Sequence, residues 1–107
     1  MPNDVPQVDV SEAKRRIDEG ATLVDVREIG EYEEVHIPGA QLLPMSQFVE
    51  RWEELPQDQE LVVYCRSGGR SAMAVKALNE RGYRAVNVEG GIDSWQEQGY
   101  PTESGDE

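Results

Sequence analysis

The sequence contains little cysteine, histidine or lysine, and no long apolar run. One cysteine among 107 residues excludes an intrachain disulfide framework and a multi-cysteine zinc site, so we expect no metal or other cofactor. Its apolar runs, such as LVVYC, are far too short to cross a bilayer. The opening residues, MPNDVPQVDV, lack the cationic start and apolar segment of a secretory signal. These absences predict a soluble cytoplasmic protein.

Positive charge is also scarce, because 10 basic side chains face 22 acidic ones and the formal net charge is -12. This excess argues against nucleic acid or an anionic membrane as a partner. It fits a saline cytoplasm and, more simply, an ordinary solubilising surface. The length suits one domain, which we expect over residues 1–107, as a monomer or weak dimer with a polar, frayed tail at 102–107.

Short apolar segments alternate with segments of helical spacing along the chain. This alternation predicts an α/β protein, a three-layer α/β/α sandwich with a five-stranded parallel sheet and right-handed crossovers. The segment ELVVYC (60–65) is the most apolar and is expected at the sheet centre. Apolar residues at helical spacing predict helices over 46–55 and 70–81. Ligands bind at the carboxyl ends of strands in such sheets, which is where Cys65 lies.

The only cysteine stands in VVYCRSGGRSAMAV, between a predicted strand and a predicted helix. A free thiol is mostly protonated at neutral pH, but the helix N-terminus, Arg66 and Arg70 are expected to favour the thiolate. Gly68 and Gly69 allow a tight loop that turns backbone N–H groups inward to form an anion cradle. A lone cysteine at a strand end can also be a small core residue. The complete CRSGGRS pattern favours a site with Cys65 as nucleophile.

CRSGGRS resembles the active-site loop of the rhodanese family, the sulfurtransferases. LVDVRE (23–28) resembles the family's second-strand motif, and EYEEVHIPGA (31–40) its His-Ile-Pro-Gly-Ala segment. VEGGIDSW (88–95) resembles its closing glycine-pair and tryptophan motif. The resemblance covers nearly the whole chain and is to stand-alone, single-domain members. It implies a sheet order of 3-2-4-5-1.

The resemblance also implies a reaction. Cys65 would take the outer sulfur of thiosulfate, release sulfite and carry a persulfide. Cyanide or a thiol, including a thioredoxin-like acceptor, would then remove that sulfur in ping-pong fashion. The implied substrate-binding residues are those of the loop after the cysteine: Arg66, Ser67, Gly68, Gly69, Arg70 and Ser71.

Three alternatives stay open. The chain could be a persulfide-carrying sulfur-relay module whose donor and acceptor are proteins. It could be a non-catalytic rhodanese-like binding domain, although the presence of Cys65 counts against this. A thiol-based phosphatase or arsenate reductase is disfavoured, because related cell-cycle phosphatases place five residues between cysteine and arginine, whereas four separate Cys65 from Arg70.

Residues at the end of the second strand are candidates for a supporting role. Asp25 and Arg27 are expected to face the Cys65 loop. We expect Asp25 to act as a scaffold that holds loop backbone or an arginine. Arg27 could add charge to the pocket or form a structural ion pair with Glu28 or another acid. His36, the only histidine, is expected to be structural rather than a general base.

The remaining conspicuous side chains have simpler interpretations. Trp52 and Trp95 are expected in the core. Glu31, Glu33 and Glu34 are expected on a solvated helix face.

Overall fold

The computed structural model describes residues 5–105. The strands are β1 (Gln7–Val8), β2 (Thr22–Asp25), β3 (Gln41–Leu42), β4 (Glu60–Tyr64) and β5 (Arg84–Val88). The helices are α1 (Val10–Asp18), α2 (Ile29–Glu34), α3 (Phe48–Arg51), α4 (Gly69–Glu80) and α5 (Gly91–Glu97), and short 3₁₀ turns at Met45–Gln47 and Trp52–Glu54 flank α3. Within this part of the chain, no helix has the length and apolar character needed to span a bilayer.

The five strands form one parallel sheet in the order β1-β5-β4-β2-β3. This confirms the predicted sheet order and the central place of β4. Because strand side chains alternate between faces, Leu61, Val63 and Cys65 enter the core beneath α3 and α4. Val62 and Tyr64 enter the opposite core, beneath α1 and α5. The predicted three-layer arrangement is therefore confirmed.

The sheet order creates a topological switch point at the carboxyl ends of two central strands. The chain leaves β2 toward β3 on one side and leaves β4 toward β5 on the other, so the connections diverge between β2 and β4. Asp25 is paired with Tyr64 where these two strands end. Such a switch point is the usual ligand site of an open parallel sheet. Cys65 follows Tyr64 directly, and Arg27 comes two residues after Asp25.

The predicted helix over 46–55 is broken into α3 and its two flanking 3₁₀ turns. Phe48 and Leu55 are buried as expected, but Val49 is 82% exposed. Trp52 is half-buried, packing against the edge of the core rather than lying within it. A 3₁₀ turn has about 3.0 residues per turn, so an apolar stripe counted at 3.6 does not stay on one face.

Residues 103–105, part of the tail that we predict to be frayed over 102–107, make hydrogen bonds to α2 and to His36. His36 and Glu103 exchange two backbone hydrogen bonds of 2.8 Å in an antiparallel bridge. The Ser104 hydroxyl and the Gly105 N–H donate to backbone carbonyls of α2. Composition alone does not predict these bonds, because backbone groups of polar residues can still pair. The last two residues lie outside the described part of the chain.

Candidate active site

Cys65 follows the last residue of β4 and is only 1% exposed. The Gly68 N–H donates to Sγ over 3.1 Å, and the Ser71 hydroxyl oxygen lies 3.3 Å from Sγ. Burial raises the pKa of the Cys65 thiol, but the backbone N–H groups of Ser71, Gly68 and Ser67 lower it, and the pKa lies below its usual value. The loop thus favours the thiolate mainly through short-range donors rather than through arginine charge.

The loop reaches this shape because Gly68 has a φ of +109°. A side chain is strained in this left-handed region, which glycine enters freely. Gly68 caps α4, which begins at Gly69, one residue earlier than predicted. The positive end of a 12-residue helix therefore adjoins the sulfur.

Both loop arginines are near a carboxylate that the sequence interpretation placed in solvent. Arg70 donates from Nη1 and Nη2 to the two oxygens of Glu31 over 2.8 and 2.9 Å. Arg66 Nε is 3.9 Å from Glu31 Oε2. Hydrogen bonding from Arg70 lowers the pKa of Glu31 to about 2. The prediction that Glu31 lies on a solvated face is therefore wrong, and the local charge is closer to one positive unit than to two.

Asp25 and Arg27 form a buried ion pair with each other. Arg27 Nε is 3.0 Å from Oδ1 of Asp25 and Nη2 is 2.8 Å from Oδ2. Nη2 of Arg27 also donates to the Val35 carbonyl over 2.7 Å, and the guanidinium lies 5.6 Å from the centre of the Tyr64 ring. Of the two predicted roles for Arg27, this is the structural ion pair, with Asp25 rather than Glu28. Asp25 thus holds an arginine, one of the two scaffolding contacts predicted for it.

His36 is fully buried at the junction of α2 and the chain end. Its ring stacks on Tyr32 with centroids 3.8 Å apart, and Nδ1 lies 2.8 Å from the Tyr32 carbonyl oxygen. Nε2 lies 3.4 Å from a carboxylate oxygen of Glu103. These contacts are structural in character, as expected. Within residues 5–105, no cluster of three or more His, Cys, Asp or Glu side chains could hold a metal ion.

Asn87 is a site residue that the sequence interpretation missed. Asn87 lies on β5 and is 2% exposed. Its Oδ1 is 2.5 Å from the Ser71 hydroxyl oxygen, and its Nδ2 donates to the Gly68 carbonyl over 3.1 Å and to Gln7 Oε1 over 3.0 Å. The available signal was a lone amide inside RAVNV, whose last four residues are all buried.

The closing glycine pair brings α5 against the backbone of the cysteine loop. Gly91 has a φ of +57°, and a Cβ there would lie 2.4 Å from the Cys65 carbonyl oxygen and 2.5 Å from that of Arg66. Ile92 and Asp93 N–H groups donate to those same two carbonyls over 3.0 and 3.1 Å. Trp95 is buried in the adjacent core, as predicted. These bonds fix the backbone on the side of the loop away from its inward-facing donors.

Comparisons with known proteins identify the family of this chain. Residues 9–98 match the family described as the Rhodanese-like domain. A sulfurtransferase from Allochromatium vinosum is 39% identical over 100 residues, covering 91% of this chain and 94% of that protein. The chain spans only about half of one other curated relative and about a fifth of another.

Solved structures give the same result. A rhodanese-related protein from Thermoplasma volcanium superposes with a TM-score of 0.87 at 37% identity, covering 92% of this chain and 97% of that one. A thiosulfate sulfurtransferase from Pseudomonas aeruginosa gives a TM-score of 0.86 at 25% identity, covering 97% of this chain but 21% of that one. The chain therefore belongs to the rhodanese-like family, the sulfurtransferase family whose active-site loop CRSGGRS resembles.

Proposed function

We propose that this chain transfers a sulfane sulfur from thiosulfate to cyanide or a thiol through a persulfide on Cys65. In the first step the thiolate attacks the outer sulfur of thiosulfate. An S–S bond to Sγ forms, the S–S bond of thiosulfate breaks, and its electron pair leaves with sulfite. In the second step cyanide attacks the outer persulfide sulfur, forming thiocyanate and returning the Cys65 thiolate.

The observation that supports this proposal most directly is the set of donors aimed at Sγ. A persulfide extends the side chain by one anionic sulfur, which needs donors at the mouth of the loop rather than a base. Ser67, Gly68 and Ser71 supply such backbone N–H groups around the start of α4, where the helix dipole also favours negative charge. This proposal gives the loop residues substrate-binding roles and leaves Asp25 and Arg27 as scaffold.

The pairing of Arg70 with Glu31 supports a second candidate, the sulfur-relay module. Thiosulfate is a dianion, and Glu31 neutralises part of the positive charge that would attract it. A persulfide on a partner protein carries at most one negative charge at the reacting sulfur. Its binding would depend less on free arginines at the mouth of the site.

Intact-mass spectrometry after incubation with thiosulfate tests the proposal. We expect a gain of one sulfur atom that is lost on adding cyanide, with thiocyanate appearing, and no gain in Cys65→Ser. Absence of both the adduct and thiocyanate would contradict an enzyme that uses thiosulfate. Rapid steady turnover would favour the enzyme, whereas a single loading followed by slow turnover would favour the relay.

A further inference from the structure

The hydroxyl of Ser71 has two possible acceptors and a single proton. Its oxygen is 3.3 Å from Cys65 Sγ and 2.5 Å from Asn87 Oδ1. A distance of 3.3 Å suits a hydrogen bond to sulfur in either direction. Only one of the two contacts can receive the Ser71 proton at a time. The ionisation of the Cys65 thiol therefore depends on which of the two atoms accepts the hydrogen bond from Ser71.

The orientation of the Asn87 amide decides which of its atoms faces Ser71. The NH₂ group lies 3.1 Å from the Gly68 carbonyl oxygen, a backbone acceptor that cannot donate. A second acceptor, Gln7 Oε1, lies 3.0 Å from the same nitrogen. With both amide protons engaged, the face turned to Ser71 is the carbonyl oxygen, which can only accept. The short contact is therefore a bond from Ser71 to Asn87.

We propose that Asn87 is a positioning residue that competes with the Cys65 sulfur for the only proton of the Ser71 hydroxyl. In the resting thiol, Ser71 donates to Asn87 and presents a lone pair to the S–H group. On ionisation, the hydroxyl can donate to the thiolate only by leaving the buried Asn87 oxygen without a partner. Leaving that oxygen unpaired is unfavourable, because a buried acceptor without a hydrogen bond has lost its contact with water and gained none in return.

The same side chain fixes the loop backbone through the Gly68 carbonyl. The contacts of Asn87 with Gly68 and with Ser71 therefore have opposite effects on the pKa of Cys65. The bond to Gly68 helps to hold the N–H that donates to Sγ, which favours the thiolate. The hydrogen bond from Ser71 to Asn87 keeps the Ser71 hydroxyl from donating to Sγ, which favours the thiol. Any test must separate the two effects.

A double-mutant cycle on thiol ionisation makes that separation. We would measure iodoacetamide alkylation against pH for the native chain, Asn87→Ala, Ser71→Ala and the double variant. Loosening of Gly68 affects both Asn87 variants alike and cancels in the cycle. Asn87→Ala should lower the Cys65 pKa by at least about half a unit more when Ser71 is present than when it is absent, about the value of one neutral hydrogen bond. A smaller coupling, or one of opposite sign, would overturn the proposal.

The charged groups around the loop are the same in all four proteins. They are Arg70 on α4, Arg66 in the loop, Glu31 on α2, and the Asp25–Arg27 pair after β2. Their influence on the thiol therefore cancels in the cycle as well. If Asn87→Ala does not fold, Ser71→Ala alone remains informative. Its Cys65 pKa should change by less than about half a unit, and a rise of half a unit or more would overturn the proposal.

This inference deepens the proposed function, but its test is independent of sulfur transfer. Alkylation by iodoacetamide reports the thiolate whether or not thiosulfate is a donor. Failure to load sulfur, with the expected coupling present, would reject the donor and keep the role of Asn87. Normal loading without the coupling would reject the role of Asn87 and keep the donor.

Discussion

Glu31 controls how much positive charge the site offers to an anionic donor. We expect Glu31→Gln to lower the KM for thiosulfate, because Arg70 and Arg66 would lose their anionic partner. A partly exposed pair contributes up to about 1 kcal/mol, or close to fivefold. Arg70→Ala should change the KM in the opposite direction. Steady-state kinetics with varied thiosulfate measure both.

Glu33→Gln is the matched control for Glu31→Gln. It lies on the same helix and removes the same charge, but its side chain is exposed. Its KM should stay close to the native value. If both glutamine variants shift the KM equally, the effect is general surface charge rather than release of the loop arginines.

The sequence predicted the site residues that are contiguous and missed those supplied by other elements. Cys65 and its following loop could be identified because strand, glycines, arginines and helix stand together in one segment. Glu31 and Asn87 reach the same place from α2 and β5, and only the sheet order makes them neighbours. One signal was nevertheless available, the amide of Asn87 within an apolar strand.

At the scale of elements, α5 and the cysteine loop are locked together at Gly91. We expect Gly91→Ala to destabilise the protein by at least about 2 kcal/mol, because positive φ strains a side chain and the new Cβ would meet two backbone carbonyls. Urea denaturation followed by circular dichroism measures this. Gly30→Ala is the control, since that position in α2 has open space and ordinary φ. It should be neutral or stabilising by up to about 1 kcal/mol.

The Glu31–Arg70 pair also links α2 to α4, and this link should depend on pH. The pKa of Glu31 is lowered from 4.5 to about 2 by its bond to Arg70. A lowered folded-state pKa gives stability that is complete above the unfolded value and is lost as pH falls toward the folded one. Glu31→Gln should therefore be less stable than the native chain at pH 7 by up to about 1 kcal/mol, given partial exposure.

That difference should shrink between about pH 4.5 and pH 2. Urea midpoints of the native chain and Glu31→Gln at pH 7 and pH 3 would measure it. A difference that stays constant across this range would show that the carboxylate charge is not what stabilises the link. Helix periodicity could not reveal this contact, just as it could not reveal the 3₁₀ turns that flank α3.

At the scale of the whole molecule, the net charge of -12 opposes the approach of an anionic donor. The arginines at the loop do not fully offset this field, because Glu31 lies against both. The screening length falls from about 30 Å at 0.01 M salt to about 8 Å at 0.15 M. We therefore expect kcat/KM for thiosulfate to rise roughly 2- to 10-fold over that range of sodium chloride.

Alkylation of Cys65 by iodoacetamide at fixed pH is the control for this salt dependence. Iodoacetamide is neutral, so it senses any effect of salt on thiol ionisation but not long-range repulsion. Its rate should change little while kcat/KM for thiosulfate rises. A fall in kcat/KM with added salt would mean that the local arginines attract the donor more strongly than the distant carboxylates repel it. In Glu31→Gln the rise of kcat/KM with salt should be smaller, because Arg70, without its anionic partner, attracts thiosulfate more strongly.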